Sequence, residues 1–251
     1  MSTSPTMFPA IPDWLSLEIS QRMEEKLSIV KLDVQEIYQS GCLHPALLYK
    51  RFPQANNYCS QLGAGHASWQ RLFFNLCKRA FVEQISLGDP KHRYAMDLIW
   101  SNLELQHHAQ PELLIQDWEK LLKPSSLLMF SYLGPDTGRE LRQAGANILP
   151  GAWDMHDVGD ALAKAGFAEP VMDMEYITLE YESLDLLKKD ALELGLVKDL
   201  ALGDLQMPTG SDQFKLTLEV VYGHAWTPEK RSSKSKDGIA TISVDQIVRR
   251  K

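Results

Sequence analysis

Met96-Asp-Leu-Ile-Trp100, Pro111-Glu-Leu-Leu-Ile-Gln-Asp-Trp-Glu-Lys-Leu-Leu122 and Leu127-Leu-Met-Phe130 follow one another in the middle of the chain, and their order decides the fold. The first is almost continuously apolar, as a strand covered on both faces must be. The second opens on a proline, a residue suited to the first helical position, and sets Leu114, Trp118, Leu121 and Leu122 on one face. After the turn Lys123-Pro-Ser-Ser126 the third reads as another buried strand. Strand, helix, strand implies parallel strands with a right-handed crossover, because a parallel connection must carry the chain back across the sheet.

The same alternation extends outward. Upstream, Leu15, Ile19, Met23 and Leu27 step by four from a helix start at Asp13. A strand is expected over Leu32–Tyr38, and a helix over His44–Phe52, closed by Pro53. A further strand over Asn57–Leu62 has only Tyr58 as a strongly strand-favouring residue. Trp69, Leu72, Phe73, Leu76 and Ala80 form an amphipathic helical stripe, read as core, and Phe81–Ile85 a third strand. Downstream, Met155–Ala165 is a helix stopped by Gly166, Val171–Tyr181 a strand, and Ser183–Leu194 a helix capped by Ser183 and ended by Gly195. Lys215–Tyr222 alternates, with Leu216, Leu218, Val220 and Tyr222 on one face, which predicts an antiparallel strand with one wetter face.

Composition bounds the rest. The chain has 251 residues and a net charge of −7, an ordinary globular balance. Residues 1–12, with three prolines, read as a mobile leader, 13–226 as one domain, and 227–251 as a basic tail. That tail carries seven Lys and Arg against three acids, so the body is the more acidic and nucleic acid is not an expected partner. No apolar run of membrane-spanning length and no secretory pattern occurs, which predicts a cytoplasmic protein. Cys42, Cys59 and Cys77 lack metal-site spacing, so no metal and no disulfide framework is expected. There is no G-x-S-x-G elbow and no phosphate-binding P-loop.

Seven segments, Ile19–Leu27, Arg51–Ala55, Asp97–Leu103, Phe130–Arg142, Met155–Leu162, Ala165–Met174 and Leu218–Trp226, resemble in order the class I S-adenosylmethionine-dependent methyltransferases. The resemblance is to the malonyl-[acyl-carrier protein] O-methyltransferases of biotin biosynthesis, and the related assembly factor of respiratory complex I is similar too. It implies an α/β, Rossmann-like, doubly wound and mostly parallel seven-stranded sheet with an antiparallel C-terminal strand. It further implies S-adenosylmethionine as cofactor and a malonyl thioester on an acyl-carrier protein as substrate and partner. A carboxylate acceptor is nucleophilic at neutral pH and needs no general base, so no catalytic residue is assigned.

In that family the first strand ends in an acidic residue followed by a glycine-rich loop. Alignment on Arg51-Phe52-Pro53 puts Glu36 at the acidic place and Tyr38, Ser40 and Cys42 at the three glycines. A side chain there occupies ligand space or forbids the needed backbone angle. The ribose-binding acid falls at Ser60 or Gln61, the residue beside the adenine at Ile85, and the leader's Tyr-Asp pair near Pro9 and Ala10. A second reading of the loop is Gln61-Leu-Gly63-Ala-Gly65, although it lies nearer Asp97 than the family's spacing. The resulting cofactor-side candidates are Glu36, Gly41, Gln61 and Asn102, the last equally a polar strand-end cap. Arg139 and Arg142, at i and i+3 on a helix, either hold a substrate carboxylate or pair with Asp136 and Glu140. The adjacent His107 and His108 face apart and read as a solvated loop. Two functions are in view: methyl transfer to a malonyl carboxylate, or a catalytically inactive binding or assembly module on the same scaffold. A carrier would meet the basic tail, Lys50-Arg51 or Lys78-Arg79.

Overall fold

A computed structural model describes residues 11–59, 82–87, 89–146, 148, 153–197 and 214–229. The stripe from Trp69 to Ala80, Gln61, the Gly63–Gly65 loop, the leader as far as Ala10 and the tail from Lys230 lie outside them.

The described elements are α1 (Asp13–Leu27), β1 (Glu36–Gly41), α2 (Pro45–Arg51), β2 (Asn56–Cys59), β3 (Val82–Gln84), β4 (Met96–Asn102), α3 (Pro111–Leu121), β5 (Leu122–Leu133), α4 (Arg139–Gln143), α5 (Met155–Ala165), β6 (Ala168–Tyr181), α6 (Leu184–Glu193) and β7 (Phe214–Trp226). The strands make one sheet in the order β3-β2-β1-β4-β5-β7-β6. β1 to β5 pair in parallel, and β7 runs against both β5 and β6. This is the doubly wound, mostly parallel α/β fold that the sequence predicts, with β7 antiparallel.

Two buried clusters fill the two faces. On one, Leu15, Ile19, Met23 and Leu27 of α1 pack with Leu98, Met129, Leu187 and Leu218. On the other, Ile115 and Trp118 of α3 and Val158 and Leu162 of α5 pack with Tyr38, Ile99, Phe130 and Val221. Each such side chain contributes about 1.5–3 kcal/mol by leaving water, and the period of each stripe is what allowed its helix to be read from sequence. Among the described residues no helix is long and apolar enough to cross a membrane.

Three strands differ from expectation. β1 lies later than Leu32–Tyr38, because the Asp97 carboxylate accepts the N–H groups of Gln35 and Glu36 at 2.9 and 3.0 Å where the ladder begins. Two of its last three residues, Gln39 and Ser40, are polar yet buried, which hydropathy does not mark as strand. In β5 the stretch read as the turn Lys123–Ser126 is an irregularity inside the strand: Met96 pairs with Leu122 and Leu98 with Leu127, and Ser125 takes φ +58°. The wetter face expected of β7 is corrected, since Thr217 and Glu219 are buried. β7 is an interior strand between β5 and β6 with both faces covered; β6 is the edge.

Candidate functional site

In an open α/β sheet a ligand sits at the carboxyl ends of the strands where strand order reverses. Here that is between β1 and β4, whose last residues Gly41 and Asn102 are register partners. Gly41 has φ +73°, and a Cβ on it would lie 2.1 Å from the Asn102 carbonyl oxygen. Cys42 N–H donates to the same oxygen at 2.8 Å. The chain then turns through Cys42, Leu43 and His44, and α2 opens on Pro45.

Of the three positions aligned with the glycines, Cys42 lies in this turn and the other two do not. The turn begins only after Gly41, so Tyr38 and Ser40 lie within β1. Tyr38 is buried in the cluster with Ile99 and Leu128. Glu36 is corrected as well. It is the first residue of β1, at the amino end of the strand and so away from the crevice, where its carboxylate accepts from Asn56 Nδ2 at 3.1 Å.

Asn102 resolves as the strand-end cap. It is fully buried; its Nδ2 donates to the Ser16 carbonyl and to Ser20 Oγ, both at 2.9 Å. Its Oδ1 accepts from Ser131 Oγ at 2.9 Å. One side chain thus ties α1, β4 and β5 together, and its polar atoms are used. Ser16 Oγ and His44 Nε2 hydrogen-bond at 2.9 Å, joining α1 to the turn itself. Sequence reading passed over Ser16 and Ser20; the signal was two serines at i and i+4 inside the apolar stripe of α1. It also passed over Gln39, whose Nε2 donates to Asn57 Oδ1 at 2.7 Å. Among the described residues, Gln39 Oε1 and Ser40 Oγ are buried without a partner.

Beyond Asn102, Ser101 Oγ donates to the buried Glu104 carboxylate at 3.2 Å, and His108 Nε2 stands 3.4 Å from it. The solvated reading of His107 and His108 is corrected: a short 3-10 turn, Leu105–His107, folds both into half-buried positions. Burial first, and the neighbouring His108 second, push the His107 imidazole down to about 4. Burial raises the Cys42 thiol to about 12 and that of Cys59 to about 11, so neither is a reactive thiolate. Among the described residues no cluster of His, Cys, Asp or Glu could hold a metal.

At the end of β5, Arg142 donates to the carbonyls of Pro135 and Thr137, the latter at 3.0 Å. Arg139 meets Glu140 at 3.3 Å and lies over the Tyr176 ring, 5.3 Å from its centroid. Arg142 is therefore spent on the backbone of the β5–α4 loop, whereas the Arg139 side chain keeps 47% exposure. Glu219 was not foreseen. It is 6% exposed, accepts from Asp136 N–H at 2.6 Å, and fills the space a Cβ on Gly134 would need. Burial raises its carboxyl above the usual range, against the lowering effect of the hydrogen bond from the Asp136 N–H. The hydroxyl of Tyr132, on the same strand end, is buried without a partner among the described residues.

A nucleotide sulfonium donor needs close backbone approach at the β1 turn. Here Gly41 is followed by Cys42, Leu43, His44 and Pro45. The space beside Gly41 holds the Asn102 carbonyl, Pro45 has no N–H, and Asn102 is fully used. The described residues of the turn do not fit that group.

No family model matches the chain. It is 33% identical to the malonyl-[acyl-carrier protein] O-methyltransferase of Gallionella capsiferriformans, over 91% of this chain and 88% of that protein. The protein of the same name from Laribacter hongkongensis is 32% identical, over 89% and 86%. Among solved structures, a protein of Bacillus halodurans provisionally assigned as a methyltransferase superposes with TM-score 0.61 at 13% identity, covering 83% of this chain and 99% of that one. YcgJ of Bacillus subtilis superposes with TM-score 0.57 at 10% identity, covering 84% and 100%. Sheet order, the crevice at Gly41 and Asn102, and this similarity along nearly the whole chain agree: the chain has the Rossmann-like class I methyltransferase fold and belongs to the malonyl-[acyl-carrier protein] O-methyltransferase family.

Proposed function

We propose that this protein acts at a malonyl thioester carried on an acyl-carrier protein. The observation that carries this reading is the extent of its similarity to the relatives named for that substrate, 33% identity over 91% of the chain in one case. The segment that follows β5 supports it. The β5–α4 loop is held by Arg142 and by Glu219, and α4 opens on the half-exposed Arg139, a guanidinium able to grip a carboxylate through paired hydrogen bonds. The test is titration of the full chain with carrier loaded with malonyl or with acetyl groups. Preference for the malonyl form supports the proposal; equal or absent binding overturns it.

Once the carrier is bound, two outcomes are open to experiment. The family similarity favours methyl transfer, in which S-adenosylmethionine supplies the methyl group. The geometry of the β1 turn favours a family member that binds without methylating. Mass spectrometry of the malonyl group after incubation with donor separates them: a gain of one methyl establishes transfer, and an unchanged mass establishes binding alone.

A further inference from the structure

We infer that this chain takes up no S-adenosylmethionine, because the protein's own turn and amino-terminal helix are built into the donor end of the crevice. Only the donor side is concerned, whichever carrier is bound.

Three features converge. First, the one glycine of the turn, Gly41, serves an internal contact: the missing Cβ lets the Asn102 carbonyl approach, and the Cys42 N–H is consumed by that same oxygen at 2.8 Å. Backbone that would otherwise face a ligand is thus bonded to β4. Second, the following residues are Leu43, His44 and Pro45, and His44 is drawn to Ser16 on α1 at 2.9 Å. Third, α1 is held here by more than one bond. Asn102 ties down the helix through Ser16 and Ser20, and Leu15 and Ile19 beside them are fully buried. A helix so anchored does not swing clear as a lid without breaking the core on that face. Near the end of β1, Gln39 Oε1 and Ser40 Oγ, buried and without partners among the described residues, are what the strand still offers a polar ligand.

The test is calorimetric titration of the full chain with S-adenosylmethionine and S-adenosylhomocysteine into the millimolar range, on protein first shown to unfold cooperatively. No saturable heat, together with no change in thermal midpoint at millimolar donor, is expected. A ligand at one hundred times its Kd would add about 2.7 kcal/mol and raise that midpoint visibly. Saturable binding at micromolar donor overturns the inference, and its weakening by Gln39→Ala would place the donor at β1. Malonyl-carrier titration in the same preparation reads the proposed function independently, so failure of one is not failure of the other.

Discussion

Gly41 carries a requirement that no other residue meets. Alanine there must hold φ +73° and put its Cβ 2.1 Å from a carbonyl oxygen. The backbone strain alone costs about 1–3 kcal/mol, and the β1–β4 ladder must also shift. Gly41→Ala is expected to lower stability by at least about 2 kcal/mol in urea unfolding; a loss under half that would mean the turn relaxes. Asn102→Ala strips partners from the Ser16 carbonyl, Ser20 and Ser131. At about 1–3 kcal/mol for each buried group left unpaired, a loss of about 2–4 kcal/mol is expected. Glu219 predicts the opposite sign. Burial raises its carboxyl, so the folded protein holds that proton to higher pH than the unfolded chain does. Its charged form therefore costs stability once pH rises above the ordinary carboxylate range, and costs nothing below about pH 4. Glu219→Gln, which still accepts from Asp136, should be more stable than the parent at pH 7, with the gain vanishing at acid pH. Urea midpoints at the two pH values check it.

At the level of elements, α1 shows which contacts matter. Its apolar face buries Leu15, Ile19, Met23 and Leu27, each fully, while its ion pairs to β6 are solvent-exposed, with Lys26 and Asp173 side chains 40% and 60% accessible. Truncating Ile19 to alanine should cost about 2–5 kcal/mol, whereas Lys26→Ala should cost under about 1 kcal/mol and less still at high salt. Comparable losses would mean that α1 is held by charge and could open. The helices were the most legible elements: α5 spans Met155–Ala165 with its stop at Gly166 as read from sequence, while the Asp154 cap that accepts the His156 N–H emerged only in the structure. Strand ends were less so. β1 carries buried polar residues just before its closing Gly41, and β5 runs through a segment with every sequence mark of a turn.

The whole molecule sorts the surface charges that a partner could use. Lys50 and Arg51 look equivalent in sequence, but Arg51 donates to Glu24 at 3.0 Å and to the Leu27 carbonyl at 2.9 Å, while Lys50 is exposed. Charge reversal at Arg51 should destabilise the fold by about 1–2 kcal/mol. Reversal at Lys50 should leave stability unchanged and weaken binding of an acidic carrier, more so at low salt. If carrier affinity is indifferent to Lys50→Glu, that contact lies elsewhere on the surface.

By itself the sequence determined the α/β class, the parallel core, the antiparallel last strand and the family, because apolar spacing, caps and ordered segments are local properties of a chain. Only the tertiary structure decided the site. It moved Glu36 to the far end of its strand, set the turn at Cys42–His44, buried both faces of β7, spent Asn102 on Ser16, Ser20 and Ser131 and spent Arg142 on the backbone of the β5–α4 loop. Those outcomes depend on which strand ends lie side by side, and residues such as Ser16 and Asn102, 86 positions apart, meet only once the sheet has closed the distance between them.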